Sequence, residues 1–518
     1  MTGPGQRRSV PRPGGPDPEE PLDLAGIGIG PFNLSLAALG DGVPGLRAAF
    51  FEQRPAFRWH PGLLIEGATL QVPFLADLVT LVDPASPWSF LSYLRAKERL
   101  FPFYFAERFH IHRAEYDAYC RWASERIPGL HFGHQIDVVR WDPARAAYEV
   151  DYTRLDEHGT GQAVGRVFAR NLALGVGTAP YVPEPLRELA EAPTVPVLHS
   201  ADYLGHRDRL LAADHVTVLG SGQSGAEVFL DLLRHRPAGR ERLAWLARTP
   251  AFAPMEYSKL GLEQFTPDYT RYFHGLTEPA RDAALPQQWQ LHKGIDQDTI
   301  AAIHDELYQR SLHGGWPDAT LTPGSAVTGA VRAGGRIELE VEHAQQGTWA
   351  RLTTDALVLA TGYRERPLDG LLGPLAPHLR RDAAGRHQVD EHYRLALDPH
   401  LTGAVFVQNA ERHTHGVGAP DLGLAAWRSA VILNTLTGRD VHPLPRRTAF
   451  TSYGLSPHSG STPHGDTPYS GSTPHTGTPY SGSPHTDTPR RGGSPYTGSA
   501  PPGPGLALNC RPDHRPAD

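Results

Sequence analysis

The chain has 518 residues, 40% of them hydrophobic, a formal net charge of −7 and two cysteines, Cys120 and Cys510. That length exceeds one ordinary domain, and the charge leaves no basic excess to hold a phosphate backbone or an anionic membrane, so nucleic acid is not an expected partner. Two cysteines so far apart exclude a disulfide framework and a CxxC redox pair. With no apolar run near the roughly 20 residues of a spanning helix and no signal-peptide core, the expectation is a cytoplasmic protein without membrane contact.

Residues 1–20, rich in Pro, Gly and Arg, read as a disordered leader. The first element, DLAGIGIG, is a strand that turns at once into the helical stretch PFNLSLAAL. Gly28 makes the tight turn and Gly30 admits the backbone to a pyrophosphate, which would sit at the helix N-terminus beside Pro31. Asn33 stands where a third glycine is usual. Glu52, just after the run AAFF, is placed to receive ribose hydroxyls. Any tight turn of an α/β protein can imitate such a fingerprint, and the acid after the next strand strengthens it.

Farther on, LALGVGTAPYVP (Leu172 to Pro183) precedes a second and fuller fingerprint, HVTVLGSGQSGAEVFLDLL. There Gly220, Gly222 and Gly225 have the complete spacing, with Ser221, Gln223 and Ser224 between them and a helix beginning near Ala226. Each unit cradles one pyrophosphate, so two dinucleotides are expected. After the strand LAWLA comes Arg248 rather than an acid, which suits the 2′-phosphate of NADPH, although a solvated surface arginine would look the same. LVLATGY, ending in Thr361, Gly362 and Tyr363, pairs with Leu172–Pro183 as hinge segments between the nucleotide units.

Apolar runs at Leu22–Ile29, Ala48–Phe51, Val216–Leu219, Leu243–Ala247, Ala356–Ala360 and Ala404–Val407 alternate with helical patterns. This predicts α/β architecture: two Rossmann-like dinucleotide-binding domains with parallel sheets, a small substrate-binding region and disordered tails. Residues 446–518 are assigned to the tail, in which SGSTPHGDTPY from Ser459 is repeated as SGSTPHTGTPY from Ser470. Its histidines invite a metal-binding reading, but His spaced along a Pro-broken chain is read as solvated sequence, and no metal is expected.

In chain order, GIGPFNLSLAAL, FRWHPGLLIE, LQVPFLADLVTLVDPASPWSFLSYL, YCRWA, GSGQSGAE, ATGY and THGVGAPDLGLAAWRSA resemble the microbial N-hydroxylating flavin monooxygenases of hydroxamate siderophore synthesis. These are the lysine, ornithine and diamine N-hydroxylases, and the resemblance spans residues 21–445. It implies an FAD-binding domain from residues 21–205 and 356–445, the latter shared with the substrate site. It also implies an NADPH-binding domain at 206–355, with a substrate-region segment near 255–315, and a homo-oligomer. FAD would be held by Gly28, Gly30, Pro31, Asn33 and Glu52, with Trp59, His60 and Gln71 against the flavin and nicotinamide. The second loop and Arg248 would hold NADPH. The implied chemistry is transfer of one oxygen atom from dioxygen to a neutral primary amine, carried by the flavin, so no side chain is expected as a covalent or acid–base catalyst.

The chain departs from the amino-acid-hydroxylating relatives at the substrate end. Their FLKDL lysine, which binds the substrate carboxylate, is replaced in FLADL by Ala76. Their late-loop Leu-Leu-Ser or Gln-Leu-Ser is replaced by Asp421, Leu422 and Gly423, and the polar position before Glu263 by Leu262. Partners for an α-carboxylate are lost and one for an ammonium is gained. An alkyl diamine, cadaverine or putrescine, is the expected substrate; L-lysine or L-ornithine is the first alternative, and a non-enzymatic dinucleotide-binding sensor the second.

Overall fold

A computed structural model describes residues 20–192, 196–312 and 315–455. The leader and the repeats lie outside the described residues. All six apolar runs form strands: Leu22–Ile27, Ala48–Glu52, Val216–Leu219, Leu243–Leu246, Ala356–Leu359 and Val405–Val407.

The first sheet is parallel at its centre, where Leu22–Ile27 lies between Ala48–Glu52 and Gly161–Leu174, and Val405–Val407 joins the latter. Alternation along these strands feeds two cores. Leu24 and Phe50 face the helices Pro31–Gly40, Arg113–Ser124 and Ala425–Thr437, while Ala25, Ile27, Ala49 and Phe51 pack with Leu368, Leu372 and Leu375. Gly26 has no Cβ because the Phe50 ring crosses it, 2.0 Å from where that atom would lie.

The same sheet continues as antiparallel strands His134–Asp142, Ala147–Leu155 and Gly161–Leu174. These were not among the predicted strands, because their outer faces carry charge rather than apolar runs: Arg140 and Arg166 both pair with Asp151, at 2.5 and 2.6 Å.

The second sheet is parallel throughout, in the order Ala319–Thr322, Leu243–Leu246, Val216–Leu219, Ala356–Leu359, Val197–His199. It therefore draws strands from both sides of residues 206–355. One face packs on helices Tyr203–Ala212, Gln223–His235 and Gln297–Ser311. The other meets the antiparallel strands Ser325–Ala333, Arg336–His343 and Thr348–Thr354 through Ile337, Leu339 and Val341. A small helical region, Lys259–Lys293, has its own cluster of Tyr269, Phe273 and Leu291 with Val417. Among the described residues no helix is long and apolar enough to cross a membrane.

Residues 446–455, assigned from sequence to the tail, are described and hydrogen-bond to this helical region. The polar run TAFTSYG gives no apolar periodicity to announce that contact, since the donors are backbone amides.

Candidate active site

The first glycine loop turns sharply at Gly28. Gly28 has φ +86°, and a Cβ there would stand 2.4 Å from the Gly175 carbonyl oxygen. Gly30 caps helix Pro31–Gly40 without any side-chain hydrogen bond, so the first-turn amides stay open to an anion. The Glu52 carboxylate accepts from the Ile29 and Arg54 amides, each at 3.0 Å. Asn33 does something a glycine could not. Buried, its Nδ2 donates to the Gly28, Ile27 and Ala173 carbonyls at 2.8, 3.2 and 3.2 Å, and its Oδ1 accepts from Gln408 at 2.6 Å. Loop and adjacent strand ends are thereby tied together.

In the second loop Gly220 has φ +133° with a would-be Cβ 2.1 Å from the Ala360 carbonyl oxygen, and that of Gly225 would be 2.4 Å from the Gly220 carbonyl oxygen. Helix Gln223–His235 begins at Gly222, again with no side-chain cap, and Ser221 and Ser224 sit half-buried at its mouth. Arg248 is exposed at the end of the neighbouring strand, and its charge, after burial and the Arg412 charge, holds the Lys293 amine below its usual range. His292 is lowered to about 4 by burial and then by Arg412 and Lys293. A group of cations thus gathers near this loop. Sequence reasoning found only Arg248, because Lys293 and Arg412 lie in unrelated segments.

Between the loops runs a buried polar chain. Arg113 donates to Gln71 Oε1 at 3.1 Å and to Glu227 at 2.7 Å, and Gln223 donates to the other Glu227 oxygen at 2.7 Å. Gln71, expected beside the flavin, is thus joined to Gln223 of the second glycine loop. An aromatic chain runs alongside. Trp59 meets Tyr116 and His60 edge-on at 5.0 and 4.9 Å, His60 meets Tyr363 at 5.8 Å, and Tyr363 meets His199 at 5.1 Å. His60 holds a left-handed backbone, φ +45°. The protein packed around its ring, and then the Arg113 and Arg54 charges, lower its pKa to about 4, although part of the residue stays open to solvent.

The two hinge segments pair with each other as Thr178–Pro180 and Tyr363–Glu365. Thr361 Oγ1 donates to the Tyr181 carbonyl, and the Gly362 carbonyl accepts from the Tyr181 amide at 2.9 Å. The Tyr363 hydroxyl is buried without a partner.

The structure brings together Ala76, Asp421 and Gly423, the residues expected from sequence at the substrate. A Cβ on Gly423 would stand 2.8 Å from Asp421 Oδ1 and 3.9 Å from the Ala76 Cβ. Asp421 accepts from the Gly423 amide at 2.7 Å, capping the short turn Leu422–Leu424. One carboxylate oxygen is used by that cap. Burial raises the pKa of Asp421 to about 6, against the lowering effects of this hydrogen bond and of Arg428. Leu422 packs into the core of the first sheet. Leu262 is 37% exposed, and the next residue, Glu263, turns its carboxylate to the amides of Phe450 and Thr451. The surface group His378, Asp398 and His400, with ligand atoms within 4.8 Å of one another, belongs to neither loop.

The model of a family described as L-lysine 6-monooxygenase/L-ornithine 5-monooxygenase matches residues 20–365. The rhizobactin siderophore biosynthesis protein RhbE of Rhizobium meliloti (strain 1021) is 43% identical over 442 residues, 84% of this chain and 95% of its own. A putrescine N-hydroxylase of Acinetobacter baumannii is 36% identical over 431 residues, 83% of this chain and 93% of its own. Among solved structures, the FAD-bound cadaverine monooxygenase of the desferrioxamine biosynthetic pathway from Erwinia amylovora has a TM-score of 0.79 at 38% identity, covering 85% of this chain and 100% of that one. With two glycine loops built for dinucleotides and this breadth of match, the chain belongs to the L-lysine 6-monooxygenase/L-ornithine 5-monooxygenase family of N-hydroxylating monooxygenases.

Proposed function

We propose that this enzyme uses FAD, NADPH and dioxygen to hydroxylate one terminal amine of an alkyl diamine, cadaverine or putrescine, in hydroxamate siderophore assembly. The observation that carries the substrate is the meeting of Ala76, Asp421 and Gly423. Here Asp421 supplies a carboxylate, Ala76 and Gly423 supply neither cation nor hydroxyl for an α-carboxylate, and the nearby Arg428 is paired with Glu411 at 3.0 Å. Named relatives acting on putrescine and cadaverine support the same reading.

The residues present fit both cofactors. For FAD they are the open helix start at Gly30, the close approach at Gly28 and the Glu52 carboxylate. For NADPH they are the second loop and the cations Arg248, Lys293 and Arg412. When bound, the flavin supplies reducing equivalents taken from NADPH and the means of activating dioxygen. The protein's own tasks are then positional. Asp421 would hold the distal ammonium, while the aromatic rings of Trp59 and Tyr116 keep water away and favour the uncharged form of the reacting amine. Gln71, fixed by Arg113, would face the flavin. Product analysis across diamines and amino acids tests the reading.

Replacing Arg248 with Ala should raise KM for NADPH by about tenfold and leave KM for NADH nearly unchanged, since a charge-assisted contact contributes about 1.5–3 kcal/mol and Lys293 and Arg412 would remain. Steady-state kinetics with the two coenzymes reads this. An equal loss with both would make the arginine structural.

A further inference from the structure

The segment Arg446–Gly454 is bound closely to the helical region that precedes it in the chain. Glu263 accepts from two consecutive amides, Phe450 at 2.9 Å and Thr451 at 2.8 Å, one on each carboxylate oxygen. Five residues on, Asp268 Oδ2 accepts from Thr448 at 2.6 Å and Ala449 at 2.9 Å, and the Asp268 amide donates to Thr448 Oγ1 at 3.1 Å. Arg271 pairs with Asp268 and reaches the Arg446 carbonyl at 3.1 Å. The Tyr453 ring then closes on Tyr269 at 4.9 Å and Tyr272 at 5.8 Å, and Gly454, with φ +81°, lies against Tyr272.

The helix so held, Pro267–His274, has another neighbour. A Cβ on Gly416 would be 3.0 Å from the Phe273 ring, and one on Gly418 would be 3.8 Å from Thr270 Oγ1. Gly416 and Gly418 begin the loop that ends in Asp421, Leu422 and Gly423. Tyr453 also joins the small cluster in which Phe273 packs on Val417. The strap, the helix and the acidic loop form one mechanical series.

We propose that Arg446–Gly454 is a strap that positions the amine-binding loop, with Glu263, Asp268 and Tyr453 as positioning residues. This rests on the reading of Asp421 as the ammonium partner. Charge supports the arrangement: two carboxylates face four strap amides, and such contacts hold a chain segment without needing an apolar sequence. In Glu263 the Thr451 and Phe450 donors hold the carboxyl below its usual range.

The test uses the FAD-loaded enzyme and whichever primary amine it hydroxylates best. In the full chain, Tyr453→Ala and Glu263→Gln should each raise KM for that amine about five- to tenfold and lower hydroxylated product per NADPH. The rate of flavin reduction by NADPH without amine should stay within about twofold of the parent, because a strap effect lies downstream of the coenzyme. Tyr453→Phe should behave as the parent, since it keeps the ring contacts with Tyr269 and Tyr272. A chain ended after Leu455 should also be unchanged. Equal amine KM and coupling in Tyr453→Ala and Glu263→Gln would overturn the proposal, as would loss of flavin reduction in step with amine turnover. Asp421→Asn in the same panel separates the two ideas. If it alone shifts amine KM, the strap fails and the pocket reading stands; if the strap variants shift it and Asp421→Asn does not, the pocket reading fails.

Discussion

Replacing Arg113 with Ala should remove about 3–5 kcal/mol of stability at pH 8, the range found when one partner of a buried ion pair is deleted. The side chains of Arg113 and Glu227 are 9% and 7% exposed, and their contact is 2.7 Å. Deletion strands a carboxylate that burial already pushes above its usual pKa, against the lowering effects of Arg113 and Gln223. The sign with pH follows. Without Arg113, the folded chain binds the Glu227 proton at a pH where the unfolded chain does not, so the loss is fullest in alkali and shrinks as pH falls toward 5. Urea unfolding at pH 8 and pH 6 measures this. A loss below about 1 kcal/mol at both would mean that solvent reaches the pair. Because the same guanidinium donates to Gln71 and the same carboxylate accepts from Gln223, flavin reduction by NADPH should slow as well.

Asp421→Asn should stabilise the enzyme in alkali while impairing it. The rise of the Asp421 pKa from 3.8 to about 6 corresponds to roughly 3 kcal/mol held against folding when the group is ionised. That penalty is full above about pH 6 and vanishes below the unfolded value. The asparagine oxygen can still cap Gly423. Thermal melts should therefore separate variant from parent by several degrees at pH 8 and converge at pH 4. Amine KM should rise at pH 8, and in the parent it should climb as pH falls through 6 and the carboxylate is lost. Coincident melts at pH 8 would show that Asp421 is solvated. A buried charge that destabilises the fold is the pattern expected of a binding group.

Much of this was legible in the chain, and for identifiable reasons. The parallel strands are buried on both faces, so they read as apolar runs. In the second loop Gly220 and Gly225 each answer a backbone collision that leaves no room for a Cβ, whereas a Cβ on Gly222 would stand 3.6 Å from the Lys293 carbonyl oxygen, an ordinary contact. Ala76, Asp421 and Gly423 could be singled out by what they replace, and in three dimensions they adjoin.

What escaped was long-range and polar. Arg113 lies 42 residues from Gln71 and 114 from Glu227, and no local pattern marks such a partner. Lys293 and Arg412 joined Arg248 only through folding. Asn33 reads as a defect in a glycine fingerprint until its four hydrogen bonds are seen. The strap escaped because its contacts run from backbone amides to Glu263 and Asp268, and because its polar sequence adjoins the Ser, Thr and Pro repeats.

The central claim is that the acidic end of the pocket selects a diamine. Hydroxylated product formed per NADPH consumed, measured for cadaverine, putrescine, L-lysine and L-ornithine, tests it most directly, since NADPH consumption alone does not register oxygen transfer. A buried carboxylate without a cation costs several kcal/mol, so a diamine should exceed either amino acid in kcat/KM by about 100-fold, with most NADPH ending in product. Efficient, coupled hydroxylation of L-lysine or L-ornithine, with little product from either diamine, would contradict the account.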